Sequence, residues 1–398
     1  MSGLTTKKSS KIDSLIANLT TNKMQNSTID DFKRPMGADL IRILSIALVA
    51  WFHIWQQSWL SAGKLEPLVR TGYVWVDMMI LLSGFCLFLP YAVDYQKGME
   101  FQKPQRFYRR RMIRILPAYF LCVAVHLAVT LIQNGWTQGL GIDLTAHLTL
   151  TQTWFVQSYL FTKLDGSLWT VAVLTGFYLL FPLLAKWMYR YPIRTFGGML
   201  LVQVGFTIFA MQLNGNEYLM AFNRLPAFAG VLGLGMVLAL LYIKIAVLCQ
   251  KRFTVFFLLL SVVVFGGMFA LLKYSLLQSE DGQRWQLLYR MPLAVLFGLL
   301  LLCVCLGFGT AKKTGVIAFL SAISYSFYLW HQSIAVWLKQ ARIPFWQGEV
   351  PPNQLWDKDW MIQYHFLCWI AAFFAALLSF FVAEKLFVRL FVQKTKIN

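Results

Sequence analysis

The chain has 398 residues, of which 58% are hydrophobic and only 13% charged, with 15 Trp, 16 Tyr, 33 Phe and a formal net charge of +19. A soluble domain carries about 25% charged residues, and here apolar runs long enough to span a bilayer recur from residue 38 onward. The composition excludes a soluble enzyme and predicts an all-α polytopic membrane protein. Because the basic residues border apolar spans and line no aromatic-rich groove, it also excludes a nucleic-acid-binding protein.

Residues 1–34 are polar, rich in Ser, Thr, Asn and Lys, and have no apolar core. They read as a disordered tail and not as a signal peptide. Ten spans follow, placed at 38–57, 72–95, 112–133, 167–186, 195–213, 221–243, 253–276, 287–308, 316–338 and 361–386. Most of the 36 Lys and Arg residues fall on one side: the N-terminal tail, the loop before the third span, and the loops after the fourth, sixth and eighth. That bias predicts cytoplasmic termini, with a transmembrane domain over 35–392 and a short cytoplasmic tail at 393–398. Arg290 counts with the opposite loops, and Arg42 stands inside a span.

The first span, RILSIALVAWFH, holds Arg42 and His53. At about 100° per residue they lie roughly 20° past three full turns, on one face and about 16 Å apart along the axis. Ser45 and Gln56 share that stripe. Ionisable groups within a membrane are costly, so a matched pair on one face suggests a lined cavity; an Arg snorkelling to the interface beside a His satisfied by a neighbouring helix is the plainer alternative.

Depth then groups further residues. Asp77 on the second span and His331 on the ninth share the level of His53. A carboxylate beside an imidazole would fix its tautomer; helix capping for Asp77 and an interfacial place for His331 are the competing readings. At the opposite level, RFYRRRMIRILP starts the third helix, with Arg111 and Arg114 three residues apart on one face. Such a pair suits a phosphate monoester or diphosphate, as it also suits anionic lipid heads. The cysteines Cys86, Cys122, Cys249, Cys303, Cys305 and Cys368 show no metal-ligand spacing with His. No metal and no permanently bound cofactor is expected.

These segments together resemble the acyltransferase-3 family of membrane O-acyltransferases. Arg42 and His53 are similar to its Arg-x10-His motif. GYVWVDMMILLSGF, with Asp77, Ser83 and Gly84, is similar to its second-helix segment. Arg111-Met112-Ile113-Arg114 running into Pro117 is similar to its Arg-x-x-Arg-x-x-Pro motif. SLWTVAVLTGFYLLFP, SYSFYLWH and SFFVAEKLF are similar to later signatures. One departure is clear: many members have an acidic residue after Val173, where this chain has Leu174.

The resemblance implies a donor of acetyl-CoA or another acyl-CoA in the cytosol. The acceptor it implies is a hydroxyl on a glycan or lipid-linked sugar of the cell envelope, at the outer face. It casts His53 as general base, Asp77 as its orienting partner, Arg42, Arg111 and Arg114 as acyl-CoA ligands, and His331 as a supporting or acceptor-site residue. The expected location is the plasma membrane of a bacterium. No hydrolase-like domain follows the tenth span in this sequence, so the expectation is that the chain acts alone or passes its acyl group to a separate extracytoplasmic partner. A small-solute transporter, suggested by Gly230, Gly233 and Gly235, and a non-catalytic scaffold are the rival classes.

Overall fold

The computed structural model describes residues 35–101, 104, 107–249, 253–309, 311 and 314–385. The tails expected at 1–34 and 393–398 lie outside the described residues, as does the end of the transmembrane domain at 386–392. Ten long helices are present: α1 (Met36–Ser58), α2 (Trp75–Gln96), α3 (Phe107–Asn134), α4 (Trp169–Arg190), α5 (Pro192–Met211), α6 (Ala229–Cys249), α7 (Thr254–Leu271), α8 (Gly282–Phe308), α9 (Gly315–Gln340) and α10 (Lys358–Ser379). Among the described residues there is no strand, and nine helices are long and apolar enough to cross a membrane. The chain is an all-α, multi-pass membrane protein.

The helix absent from those nine is α9, 26 residues long. It turns Ser321, Ser324, Ser326, His331 and Ser333 inward and is flanked by α1 and α10. Its polar groups meet protein, which lowers the cost of carrying them at membrane depth.

Burial ranks the helices from centre to rim. The span that includes α2 hides 72% of its most apolar window and that of α7 only 11%. The central contact is α2 against α6, and glycine allows it. A methyl group on Gly84 would fall 2.3 Å from the Leu232 carbonyl oxygen, and one on Gly235 2.2 Å from that of Leu81. Small residues let helix backbones approach this closely. Gly230 and Gly233 meet side chains of α5 instead. These glycines, which suggested a carrier, are occupied in helix packing.

The boundaries follow local chemistry. Asp281, Thr314 and Asp357 cap α8, α9 and α10 by accepting backbone N–H groups of the first turn. Helix α3 begins at Phe107, before the expected 112, so Pro117 lies well inside the helix. Helix α6 begins at Ala229 and not at 221, because Pro226 holds residues Leu225–Phe228 in a separate turn. The segment between α3 and α4 is folded over the bundle as a short helix, Leu140–Leu148, and several turns. Tyr119 of α3 donates to the His147 carbonyl at 2.9 Å, and the Asp143 carboxylate accepts the Lys163 N–H at 2.7 Å.

Candidate active site

Among the described residues, two neighbouring cavities gather the candidate site residues, and α1 contributes to both. The first, of about 170 Å³, is lined by Arg42, Arg111 and Arg114 together with Cys86, Tyr178 and Tyr328. Three arginines from two helices thus converge on one space. Arg42 Nη1 donates to Asp39 Oδ1 at 3.1 Å and to Ser321 Oγ at 3.0 Å, which ties α1 to α9. The remaining wall is largely apolar, with Ile46, Met79, Ile80 and Leu82 facing in. Leu174, at the position where an acidic residue was looked for, also faces this space.

The second cavity, of about 210 Å³, is lined by His53, Tyr73, Asp77, Asn223, Gln286 and Gln332 among others. His53 and Asp77 therefore share one space, but not a hydrogen bond. The Asp77 carboxylate accepts from Gln286 Nε2 at 3.1 Å and pairs with Arg290 Nε at 3.4 Å. The expected orienting contact goes instead to Gln56, whose Oε1 lies 3.1 Å from His53 Nδ1. With that oxygen accepting, Nδ1 carries the proton and Nε2 keeps its lone pair. The physical reason is the buried guanidinium: Arg290 has no exposed surface and needs a counter-charge, which Asp77 supplies. Arg290 also stacks over the Phe228 ring at 4.0 Å from its centroid. It had been counted with the loop charges, although it stands inside α8.

His331 is buried within the protein, and its ring centroid lies 5.2 Å from that of His53. Its Nδ1 donates to the Tyr328 carbonyl at 2.6 Å, while its Nε2 has no hydrogen-bond partner. Two imidazoles thus lie side by side, each with its tautomer set by a hydrogen bond at Nδ1.

Val76 and Tyr328 line both cavities and form the partition between them. The Tyr328 hydroxyl donates to the Ser167 carbonyl at 3.1 Å and lies 3.0 Å from Thr170 Oγ1. The loop bearing Ser167 is fixed in turn by Asp165, which accepts the Ser167 N–H at 2.6 Å. Asp165 also accepts from Ser333 and pairs with His126 at 3.3 Å. Burial alone would raise the Asp165 carboxyl, but the hydrogen bond and charge of His126, with Ser333 and Ser167, hold it below the usual carboxylate range. Asp165 lies in the loop before α4, and among the described residues lining the two cavities α4 itself contributes no carboxylate. Ligand atoms of Cys122, His126 and Asp165 lie within 4.8 Å of one another. Nδ1 of His126 bonds the Cys122 carbonyl and Nε2 bonds Ser333, so the cluster is an internal network with both imidazole nitrogens engaged.

Sequence reasoning missed Arg290, Gln286, Tyr328 and Asp165. Arg290 had a readable signal, a charge within an apolar run, and Tyr328 lies inside the SYSFYLWH segment; Gln286 and Asp165 are met only once distant helices assemble.

A family model described as "Acyltransferase domain" matches residues 37–384 of this chain. The O-acetyltransferase OatA of Staphylococcus aureus strain NCTC 8325 is 25% identical over 338 residues, covering 79% of this chain and 52% of the relative. The protein of the same name from strain COL matches to the same extent. The chain spans about half the length of these curated relatives. No solved structure matches it.

Proposed function

The chain belongs to the acyltransferase-3 family of membrane acyltransferases, and from that premise we propose that it moves an acetyl group from cytosolic acetyl-CoA to a glycan hydroxyl at the outer face of the membrane. The observation that carries this reading is the meeting of an arginine-lined cavity with an imidazole-lined one across a single partition. Arg111 and Arg114 bind the nucleotide phosphates with their planar forks of donors, and Arg42 lines the path beyond them. The rise of about 16 Å from Arg42 to His53 is comparable to a pantetheine arm, so the thioester reaches the second cavity while its nucleotide end stays in the first.

There His53 Nε2 takes the proton of the acceptor hydroxyl as that oxygen attacks the thioester carbonyl. The tetrahedral adduct collapses, the carbon–sulfur bond breaks, and the imidazolium returns its proton to the departing thiolate. Coenzyme A and the O-acetyl ester leave with atoms and charge balanced. Gln56 keeps the imidazole in the reactive tautomer. Asp77 acts at a remove: it neutralises Arg290 and aims Gln286, which forms the cavity wall. His331 supports the neighbouring imidazole. On this reading the arginine cavity faces the cytosol and both termini are cytoplasmic, in line with the positive-inside bias.

The test uses purified protein in sealed vesicles, with labelled acetyl-CoA supplied on one side at a time and a soluble sugar acceptor on the other. Transfer is expected with donor on the arginine-cavity side only. His53→Ala should insert normally and lose about 10²–10⁴-fold in rate. Transfer within threefold of the parent would remove His53 as the base.

A further inference from the structure

The partition between the two cavities carries a consequence for which acyl groups can be used. It rests on the donor reading above. A donor held by its nucleotide end in the arginine cavity sends its acyl group first, followed by the thin cysteamine chain, past Val76 and Tyr328. Neither wall yields easily. Val76 is β-branched, so its two methyl groups have little choice of rotamer on a helix, and it is only 7% exposed. The Tyr328 ring is held at its hydroxyl by Ser167 and Thr170, while its backbone carbonyl is fixed by His331. Beyond them, the second cavity of about 210 Å³ must hold both the acyl group and the acceptor's reacting end.

We propose that Val76 and Tyr328 form an acyl-selecting neck, which passes short unbranched acyl groups and rejects those branched next to the carbonyl. A linear acyl group has the cross-section of the arm that follows it. An α-branched one is wider by a methyl group at the narrowest point, where one misplaced methyl is worth about 10–200-fold in discrimination.

The experiment measures kcat/KM of the purified full chain for acetyl-CoA, butyryl-CoA and isobutyryl-CoA, with coenzyme A binding measured separately. The parent is expected to use isobutyryl-CoA about 100-fold less well than butyryl-CoA, its linear isomer. Val76→Ala should raise the isobutyryl-to-butyryl ratio by about tenfold or more. Tyr328→Phe, which keeps the ring but releases its hydroxyl anchor, should raise it in the same direction and serves if Val76→Ala does not fold. Equal use of the two isomers by the parent, or a ratio unchanged in both variants, overturns the neck and leaves the transferase reading intact. Coenzyme A binding without transfer of any of the three groups overturns the transferase reading, and the neck with it.

Discussion

The two cavities share apolar walls but differ in the polar groups set into them. The arginine cavity combines full positive charges with an aliphatic wall, from Ile46, Met79, Ile80, Leu82 and Leu174. The histidine cavity sets the neutral donors and acceptors of Tyr73, Asn223, Gln286 and Gln332 among the apolar side chains of Val76, Trp169 and Phe222, around one imidazole. Its carboxylate, Asp77, is cancelled by a guanidinium behind it. On the proposed reading the first arrangement suits a polyanion at its arginines and a slender chain along its aliphatic wall. The second offers hydrogen bonds to uncharged hydroxyls and keeps fixed charge away from a reacting ester. On that reading binding and chemistry are divided between two spaces, so that donor specificity is expected to change without disturbing the base.

That division can be broken at its strongest point first. Asp77→Asn leaves Arg290 without its counter-charge, and removing one partner of a buried pair costs about 3–5 kcal/mol. The expected outcome is a large fall in the detergent-solution melting temperature, with lost activity following from lost structure. Unchanged melting with lost turnover would return Asp77 to the role of orienting His53.

Next, Arg111→Gln with Arg114→Gln should weaken coenzyme A binding by about 1.5–3 kcal/mol, the worth of a charge-assisted hydrogen bond. Titration with a pantetheine thioester lacking the nucleotide should show a much smaller loss. Equal losses for the two ligands would assign these arginines to lipid contact or topology.

The smallest effect belongs to Gln56→Leu. It removes one neutral hydrogen bond at His53 Nδ1, worth about 0.5–1.5 kcal/mol, or up to roughly tenfold in kcat. Donor KM should hold, since the arginine cavity is untouched. A shift confined to donor KM would mean that the two spaces are coupled through α1.

The helical architecture was legible because length and apolarity alone define a span. The stripe of Arg42 and His53 was legible because helix periodicity is local. The pairing of charges was not. Asp77 and Arg290 stand 213 residues apart in the chain, and no periodicity decides between Gln56 and Asp77 as the partner of an imidazole. Tyr328 was visible within SYSFYLWH, but its contact with Thr170 is met only when α4 is set beside α9. Where the sequence reading placed α6 too early, it followed hydropathy across Pro226, a residue that ends a helix pattern whatever its apolarity.

The polar character of α9 bears on how the protein is made. In isolation this segment brings its serines and His331 into lipid with little to repay their desolvation. Its flanking partners are α1, synthesised first, and α10, synthesised after it. The expected outcome is that α9 integrates stably only once α10 is present, which comparison of membrane integration in chains ending before and after α10 would check. Substitutions that add polarity to α9 are felt at this step, as lost yield of integrated protein, before they are felt in turnover.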